Sequence, residues 1–283
     1  FIYDQNFQKI SILKEFDNYI IDNSKLLEVV ITQSIEDENY LVICRVIDYF
    51  FIISDKLNEE NKIIKEEEIT DYKDVIINIV PYKYENNGSI IKYTFFICSI
   101  PNAFEAKFDE MIFTINGNDY TIEKNNAYTD KTYSYNYNNL ACEKMIKNGH
   151  TYISLFSVVN NEKSKNIIVL NFDPSLRKII PELSTEQIQN ITLTKMISSV
   201  NKDKSKSLFC YVNEDEDRAM LCSIYDININ SFSNVVKIFQ GCSNLLIGLI
   251  LKFFPQKNEF VISTLAEESK IFVIFIFFNH LIF

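Results

Sequence analysis

The chain has 283 residues and is acidic, with 38 Asp and Glu against 28 Lys and Arg and a net charge of −10. Hydrophobic residues make up 47% and aromatic residues 14%, which is typical of a globular protein and excludes a collagen, a long coiled coil or an acidic disordered tail. The charge balance also argues against nucleic acid and anionic lipid as partners, because both require a basic surface.

Most of the chain is predicted to form β-strands. Short runs of Ile, Val, Phe, Tyr and Leu alternate with clusters of Asn, Asp, Lys and Ser, a pattern typical of strands separated by turns. In chain order the predicted strands are 39–53, 74–84, 90–100, 110–122, 151–159, 166–173, 207–212, 218–226, 245–254, 259–265 and 270–278.

Helical patterns are local. Ser184 to Gln187, just after Pro181, resembles the N-terminal cap of a short helix, and 139–147 is a second short helical candidate. The charged stretch 59–69 is open to two interpretations, a helix or an exposed loop. No regular alternation of strands and helices is present, which argues against an α/β fold.

The spacing of the strands predicts an all-β fold built as an antiparallel meander. Strands recur about every 10–15 residues with hairpin-length gaps, which suits a sandwich, a barrel or a propeller. We favour a β-propeller of five to six blades, or part of one, because a four-stranded blade takes about 40–50 residues. We treat 1–283 as a single domain and as a possible fragment of a longer chain, since it begins with Phe1.

The apolar run 271–278 near the C-terminus is too short for a membrane span, which needs about 20 residues. It predicts a buried strand, and the alternative is a truncated membrane span.

The chain contains six cysteines, an even number without any Cys-x-x-Cys pair. With two histidines in the sequence, no zinc ligand set can be assembled. The count favours three disulfides in an oxidising compartment, and six buried thiols in a reducing one are the alternative. The cysteines are Cys44, Cys98, Cys142, Cys210, Cys222 and Cys242.

Cys210 and Cys222 are the cysteines whose pairing can be predicted. They flank an acidic turn, and in a symmetric hairpin centred on Glu216 they face each other. Directly opposed residues are close enough to be bridged, so we predict a Cys210–Cys222 disulfide. The alternative is a pair of buried thiols in a shifted register. The sequence leaves the pairing of the other four cysteines open.

The sequence lacks the common catalytic motifs. It has no Gly-x-Ser-x-Gly elbow, no His-Glu-x-x-His motif and no P-loop. His150 and His280 are its histidines, and we interpret both as structural. The acidic run 214–217 lacks the glycine of a calcium loop and is predicted to be a solvated turn, so we predict no metal or cofactor. A glycoside hydrolase remains the enzyme alternative, since it requires only two carboxylates.

The segment Gly241-Cys242, followed by the apolar runs 249–254 and 258–263, resembles secreted surface proteins of malaria-type parasites, in the manner of the cysteine-rich protective antigen family. The resemblance covers roughly the last 80 residues. It implies a catalytically inactive six-bladed propeller that scaffolds an invasion complex. It transfers no functional residue, because this chain has fewer cysteines than that family.

These observations predict a non-catalytic, extracellular scaffold for protein–protein interaction or adhesion at a cell or parasite surface, secreted or on the cell surface. Its expected partners are proteins, contacted through the tyrosine-rich segment 128–137. Any membrane association would be indirect, through a partner or an anchor outside the chain. The alternatives are a glycoside hydrolase on a propeller, using an Asp/Glu pair, and an intracellular structural propeller with reduced cysteines.

Overall fold

A computed structural model of the chain divides it into two compact units, Phe1–Asp74 and Val75–Phe283, which we describe separately. The expectation of a single domain stays a prediction. Side-chain detail is confined to 75–238 and Phe260. The structure describes residues 2–3, 9–11, 27–33, 39–46, 49–56, 62–68, 75, 77–117, 119–161, 164–180, 185–188, 193–213, 219–239, 248–254, 259–265 and 271–277.

The first unit contains a short strand pair and one four-stranded antiparallel sheet, which we call sheet 1. The pair is formed by β1 (Ile2–Tyr3) and β2 (Lys9–Ser11). Sheet 1 has the order β3 (Leu27–Gln33), β4 (Asn39–Val46), β5 (Tyr49–Lys56) and β6 (Lys62–Glu68). The predicted strand 39–53 is thus two strands, and the charged stretch 59–69 contains a strand.

The second unit contains four antiparallel sheets that follow one another along the chain. Sheet 2 is β7 (Ile77–Asn86), β8 (Ile90–Asn102), β9 (Glu105–Asn116) and β10 (Asp119–Asp130). Sheet 3 is β11 (Tyr135–Lys147), β12 (His150–Asn161), β13 (Ser164–Asp173) and β14 (Lys178–Ile180), with β15 (Thr185–Ile188) also paired to β13.

Sheet 4 is β16 (Leu193–Val200), β17 (Lys206–Asn213), β18 (Ala219–Asp226) and β19 (Ser231–Phe232), with β20 (Val236–Phe239) also paired to β18. Sheet 5 is β21 (Gly248–Phe254), β22 (Glu259–Leu265) and β23 (Ile271–Phe277). The C-terminal run therefore forms a strand, as predicted. No helix within the described ranges is long and apolar enough to cross a membrane.

Successive sheets of the second unit meet through their first strands. β7 contacts β11, β11 contacts β16, and β16 contacts β21. Meander sheets arranged in this way are the blades of a β-propeller, in which the blades surround a central channel. The predicted all-β antiparallel meander is confirmed.

The two helical predictions are wrong. Residues 139–147 lie in β11 and 185–188 form β15. In β11, Cys142 packs in one core while Ala141 and Met145 pack in another. This alternation has the period of a strand, and the pairing of β11 with β12 overrides the weak local preference for a helix.

Two hydrophobic cores cover the two faces of sheet 3. One core lies between sheets 2 and 3 and includes Phe96, Phe108 and Phe172. The other lies between sheets 3 and 4 and includes Phe156 and Phe209. A sheet covered on both sides explains the nearly continuous apolar runs in the sequence.

Two disulfides stabilise the second unit. Cys210 and Cys222 lie directly opposite each other in the β17–β18 hairpin, with Cα atoms 4.1 Å apart, and are joined. Cys98 on β8 is joined to Cys142 on β11, a link between sheets that the sequence left open. Cys242, the side chain of Cys44, His280 and the acidic run 214–217 lie outside the described residues.

Candidate functional site

Four polar side chains lie on the first strands of sheets 2, 3 and 4, where these strands contact one another. Tyr82 is on β7, Glu143 and Lys144 are on β11, and Ser198 is on β16. All four are partly exposed, although buried residues lie next to them on β11 and β16. We call this set the first-strand site.

Lys144 connects β11 to β7. Its ammonium group donates a hydrogen bond to the backbone carbonyl of Tyr82 and lies 5.5 Å from the centre of the Tyr82 ring, at cation–π distance. No described carboxylate forms an ion pair with it. Burial lowers the pKa of Lys144, and the positive charge of Lys204 lowers it further. Lys144 is therefore a half-buried amine that releases its proton more readily than a surface lysine.

Glu143 connects β11 to β16 on the opposite side. The hydroxyl of Ser198 donates a hydrogen bond of 2.9 Å to its Oε1. Because consecutive strand residues point to opposite faces, Glu143 faces sheet 4 while Lys144 faces sheet 2. A carboxylate and an ammonium group therefore occupy consecutive positions of one strand and point to opposite faces, each oriented by a different neighbouring sheet.

Tyr82 contributes an aromatic ring and a phenol. Its ring meets Phe96 edge-on, with centroids 5.2 Å apart. Burial raises the pKa of Tyr82. The nearby positive charge of Lys83 opposes this shift, and the carboxylates of Asp173 and Glu110 add to it. The phenol is therefore protonated at neutral pH and available as a hydrogen-bond donor.

His150 and Asp173 form a second polar pair. His150 follows the β11–β12 turn, and Asp173 precedes the β13–β14 turn. The Nε2 atom of His150 lies 2.7 Å from Asp173, whose other carboxylate oxygen accepts hydrogen bonds from the hydroxyl and amide of Ser175 and the amide of Leu176. Burial raises the pKa of Asp173, but these hydrogen bonds outweigh it and hold the pKa below its usual value. Asp173 is 2% exposed, and both of its carboxylate oxygens have hydrogen-bond partners. The interpretation of His150 as structural stays a prediction.

The tyrosine-rich segment 128–137 is not the exposed contact loop that the sequence predicts. Tyr135 is 1% exposed and donates a hydrogen bond to the buried carboxylate of Asp130. Tyr128 and Tyr133 pack against the core between sheets 2 and 3. These rings are turned inward because sheet 3 offers an apolar face on which to bury them. The prediction that the partners are proteins stays a prediction.

The described residues contain no group of three or more His, Cys, Asp or Glu side chains that could hold a metal. The predicted Cys210 and Cys222 are joined to each other, and both side chains are fully buried. Sequence reasoning missed Glu143 and Lys144 because it assigned them to a helix. The available signal was a pair of charges inside an apolar run that alternates with the period of a strand.

No protein-family model and no curated protein matches the sequence. A solved protein of unknown function from Dyadobacter fermentans matches with a TM-score of 0.52 and 8% identity, covering 90% of this chain and 79% of that chain. An endo-arabinase from Bacteroides thetaiotaomicron matches with a TM-score of 0.49 and 13% identity, covering 90% and 94%. The lectin of Aleuria aurantia, a six-bladed β-propeller, matches with a TM-score of 0.44 and 6% identity, covering 89% and 78%.

At these identities the matches concern the fold, and the predicted propeller fold is confirmed. The interpretation as a non-catalytic adhesion scaffold, and with it the prediction that the chain is no enzyme, is wrong. Enzymes are among the matched propellers: two arabinanases and an ulvan lyase. Because one fold can carry many functions, a strand-rich scaffold without a familiar motif does not imply absence of catalysis. The resemblance to parasite surface proteins stays a prediction.

Proposed function

We propose that this protein is a carbohydrate-active propeller that cleaves glycosidic bonds at the first-strand site. The observation that carries the proposal is the placement of Glu143 and Lys144 at consecutive positions of β11, both partly exposed and oriented by Ser198 and Tyr82, respectively. In a propeller the blades surround a central channel, and the first strands of these sheets contact one another. The proposal places the substrate across β11, where it would contact one group on each face of the strand.

The two charged groups supply the acid and the base that the reaction needs. Glycoside cleavage requires a proton donor for the leaving oxygen and a carboxylate that acts as base or nucleophile. Lys144, with its lowered pKa, is the proton donor, and Glu143 is the carboxylate. The arrangement differs from the usual pair of carboxyl groups, because an ammonium group takes the place of the protonated one.

Tyr82 supplies the third element of a sugar site. Aromatic rings present an apolar face and a polar tip, which suits the mixed surface of a sugar ring. Tyr82 is partly exposed, and its protonated phenol adds a donor for a sugar hydroxyl. The two disulfides suit an oxidising compartment, and we propose that the protein acts outside the cell or in the secretory pathway.

The test is hydrolysis of polysaccharides by the purified chain and its Glu143→Gln variant. Arabinan, ulvan and fucosylated glycans are the first substrates, and release of reducing ends is measured. We expect Glu143→Gln to lower the rate about 10²-fold or more while sugar binding persists, because the variant removes the base but keeps the shape. Glu123→Gln, a change of the same type at an exposed position of β10, is the control and should leave the rate unchanged.

Two outcomes would contradict the proposal. Equal rates for Glu143→Gln and wild type would remove Glu143 from the chemistry. Sugar binding without any product from any of these polysaccharides would make the protein a lectin-like binding module instead.

A further inference from the structure

Four turns of sheets 3 and 4 lie at one edge of the second unit. In an antiparallel meander, the β11–β12 and β13–β14 turns share an edge, and so do the β16–β17 and β18–β19 turns. The two edges are joined directly, because the amide of Ile146 donates a 2.9 Å hydrogen bond to the carbonyl of Lys204. The turns of two neighbouring sheets thus form one continuous surface.

This surface is rich in cations although the chain as a whole is acidic. Its carboxylates are already engaged: Asp173 with His150 and Ser175, Asp203 with Ser205, and Asp226 with Lys206. We call the cationic side chains of these turns the basic edge, namely Lys147, Arg177, Lys178, Lys202, Lys204 and Lys206.

Within the described residues, the cations of the basic edge differ in whether they are paired. Arg177 is paired with Glu110 at 3.1 Å. Lys178, Lys202 and Lys204 form no ion pair with any residue that the structure describes. Lys204 also holds its backbone at a φ of 59°, a conformation that non-glycine residues rarely adopt.

Lys204 lies close enough to Lys144 for its charge to affect that amine. Like charges repel each other, and an anion bound between the two ammonium groups would offset this repulsion. Lys144 lies three residues before the end of β11. The basic edge therefore leads directly to the first-strand site.

We propose that the basic edge binds the acidic groups of an anionic polysaccharide, one that carries carboxylate or sulfate groups along its chain. This inference rests on the proposed function, since it names the substrate class of the same site. Lysines on successive turns present separated point charges, which suit a chain with one acidic group every sugar or two. The net charge of −10 opposes any polyanion at long range, so the proposal rests on the local cations of the basic edge, and nucleic acid is the competing occupant in the test.

The experiment compares the binding of polygalacturonate, neutral arabinan and single-stranded DNA to the full chain by calorimetry. We expect polygalacturonate to bind more tightly than arabinan and to weaken with added salt, because exposed charges are screened. The double variant Lys202→Gln/Lys204→Asn should weaken polygalacturonate binding about tenfold and leave arabinan unaffected. Asparagine is chosen at position 204 because it tolerates the positive φ.

The matched control is Lys107→Gln/Lys131→Gln, which removes the same charge near the opposite edge of sheet 2, where both lysines pair with Glu105. It should bind polygalacturonate like the wild type. Equal loss in both double variants, or tighter binding of DNA than of polygalacturonate, would overturn the inference. Lysine-dependent binding without cleavage would support the basic edge and contradict the proposed function. If the edge variant and the wild type cleave polygalacturonate equally, the proposed function would be supported and the basic edge contradicted.

Discussion

At the scale of single residues, three aspartates close their turns in the same way. Each carboxylate accepts hydrogen bonds from the amide and the hydroxyl of the residue two positions later, as in Asp130 with Thr132, Asp173 with Ser175 and Asp203 with Ser205. Such bonds compete with continued strand pairing and favour a turn. The motif is local, so these turns follow from short stretches of sequence.

Asp173→Asn should destabilise the protein at neutral pH by about 1–3 kcal/mol, because it removes charge-assisted hydrogen bonds from a buried site. The pKa of Asp173 is lowered in the folded state, so its contribution is present above the unfolded pKa of about 4 and is lost as the pH falls through the folded value. Urea unfolding at pH 7 and pH 3 measures this. The gap between variant and wild type should shrink in acid, and equal stability at pH 7 would contradict the assignment. Ser175→Ala should cost less than Asp173→Asn.

Lys144→Met should stabilise the fold at neutral pH, although the proposed function predicts that it lowers activity. The pKa of Lys144 is lowered in the folded state, so the unfolded chain binds more protons between the folded value and the model-peptide value of about 10.4. Stability of the wild type therefore rises with pH across that window, and the advantage of methionine should fade toward its upper end. Thermal unfolding of both proteins at pH 7 and pH 10.5 tests this. A variant less stable than wild type at pH 7 would show that the hydrogen bond to Tyr82 outweighs the burial of the charge.

At the scale of elements, β11 has several roles. It is the first strand of sheet 3, it contacts both β7 and β16, and it carries both charged groups of the first-strand site. Cys142 also links β11 covalently to β8 in sheet 2. The second disulfide, Cys210–Cys222, links two strands that already pair. The first bond therefore joins two sheets, whereas the second reinforces a strand pairing within one sheet.

Removing Cys98–Cys142 should cost more stability than removing Cys210–Cys222. The bonds span 44 and 12 residues of sequence, and the loss of unfolded-chain entropy predicts about 4 and about 3 kcal/mol, respectively. The double variants Cys98→Ala/Cys142→Ala and Cys210→Ala/Cys222→Ala, compared by denaturant unfolding under non-reducing conditions, test the order. The reverse order would show that packing in the buried β17–β18 hairpin dominates over chain entropy.

At the scale of the molecule, sheet 3 joins sheets 2 and 4. Both hydrophobic cores use it, one on each face. A buried chain of hydrogen bonds also crosses from sheet 3 to sheet 4: Ser154 donates to Asn171, Asn171 to the hydroxyl of Tyr225, and Tyr225 to Asn230. Satisfied buried networks of this kind favour one packing over others. Sheets 2, 3 and 4 should therefore unfold together.

Phe156→Ala and Phe172→Ala test this cooperativity, because they create cavities in different cores. Each residue is fully buried, and each change should cost about 3–5 kcal/mol. Both variants should show one unfolding transition for sheets 2 to 4, shifted to lower denaturant, in fluorescence and circular dichroism alike. Two separate transitions in either variant would show that the cores are independent.

The sequence by itself determined the strand-rich class, the meander order and the facing positions of Cys210 and Cys222, because these depend on period-two patterns and short turns. Only the tertiary structure decided that 139–147 is a strand, that Cys98 pairs with Cys142, and that Tyr135 is buried. It also brought Tyr82, Lys144 and Ser198 together from three sheets. These features depend on contacts between distant segments, which leave no periodic trace in any one stretch of the chain.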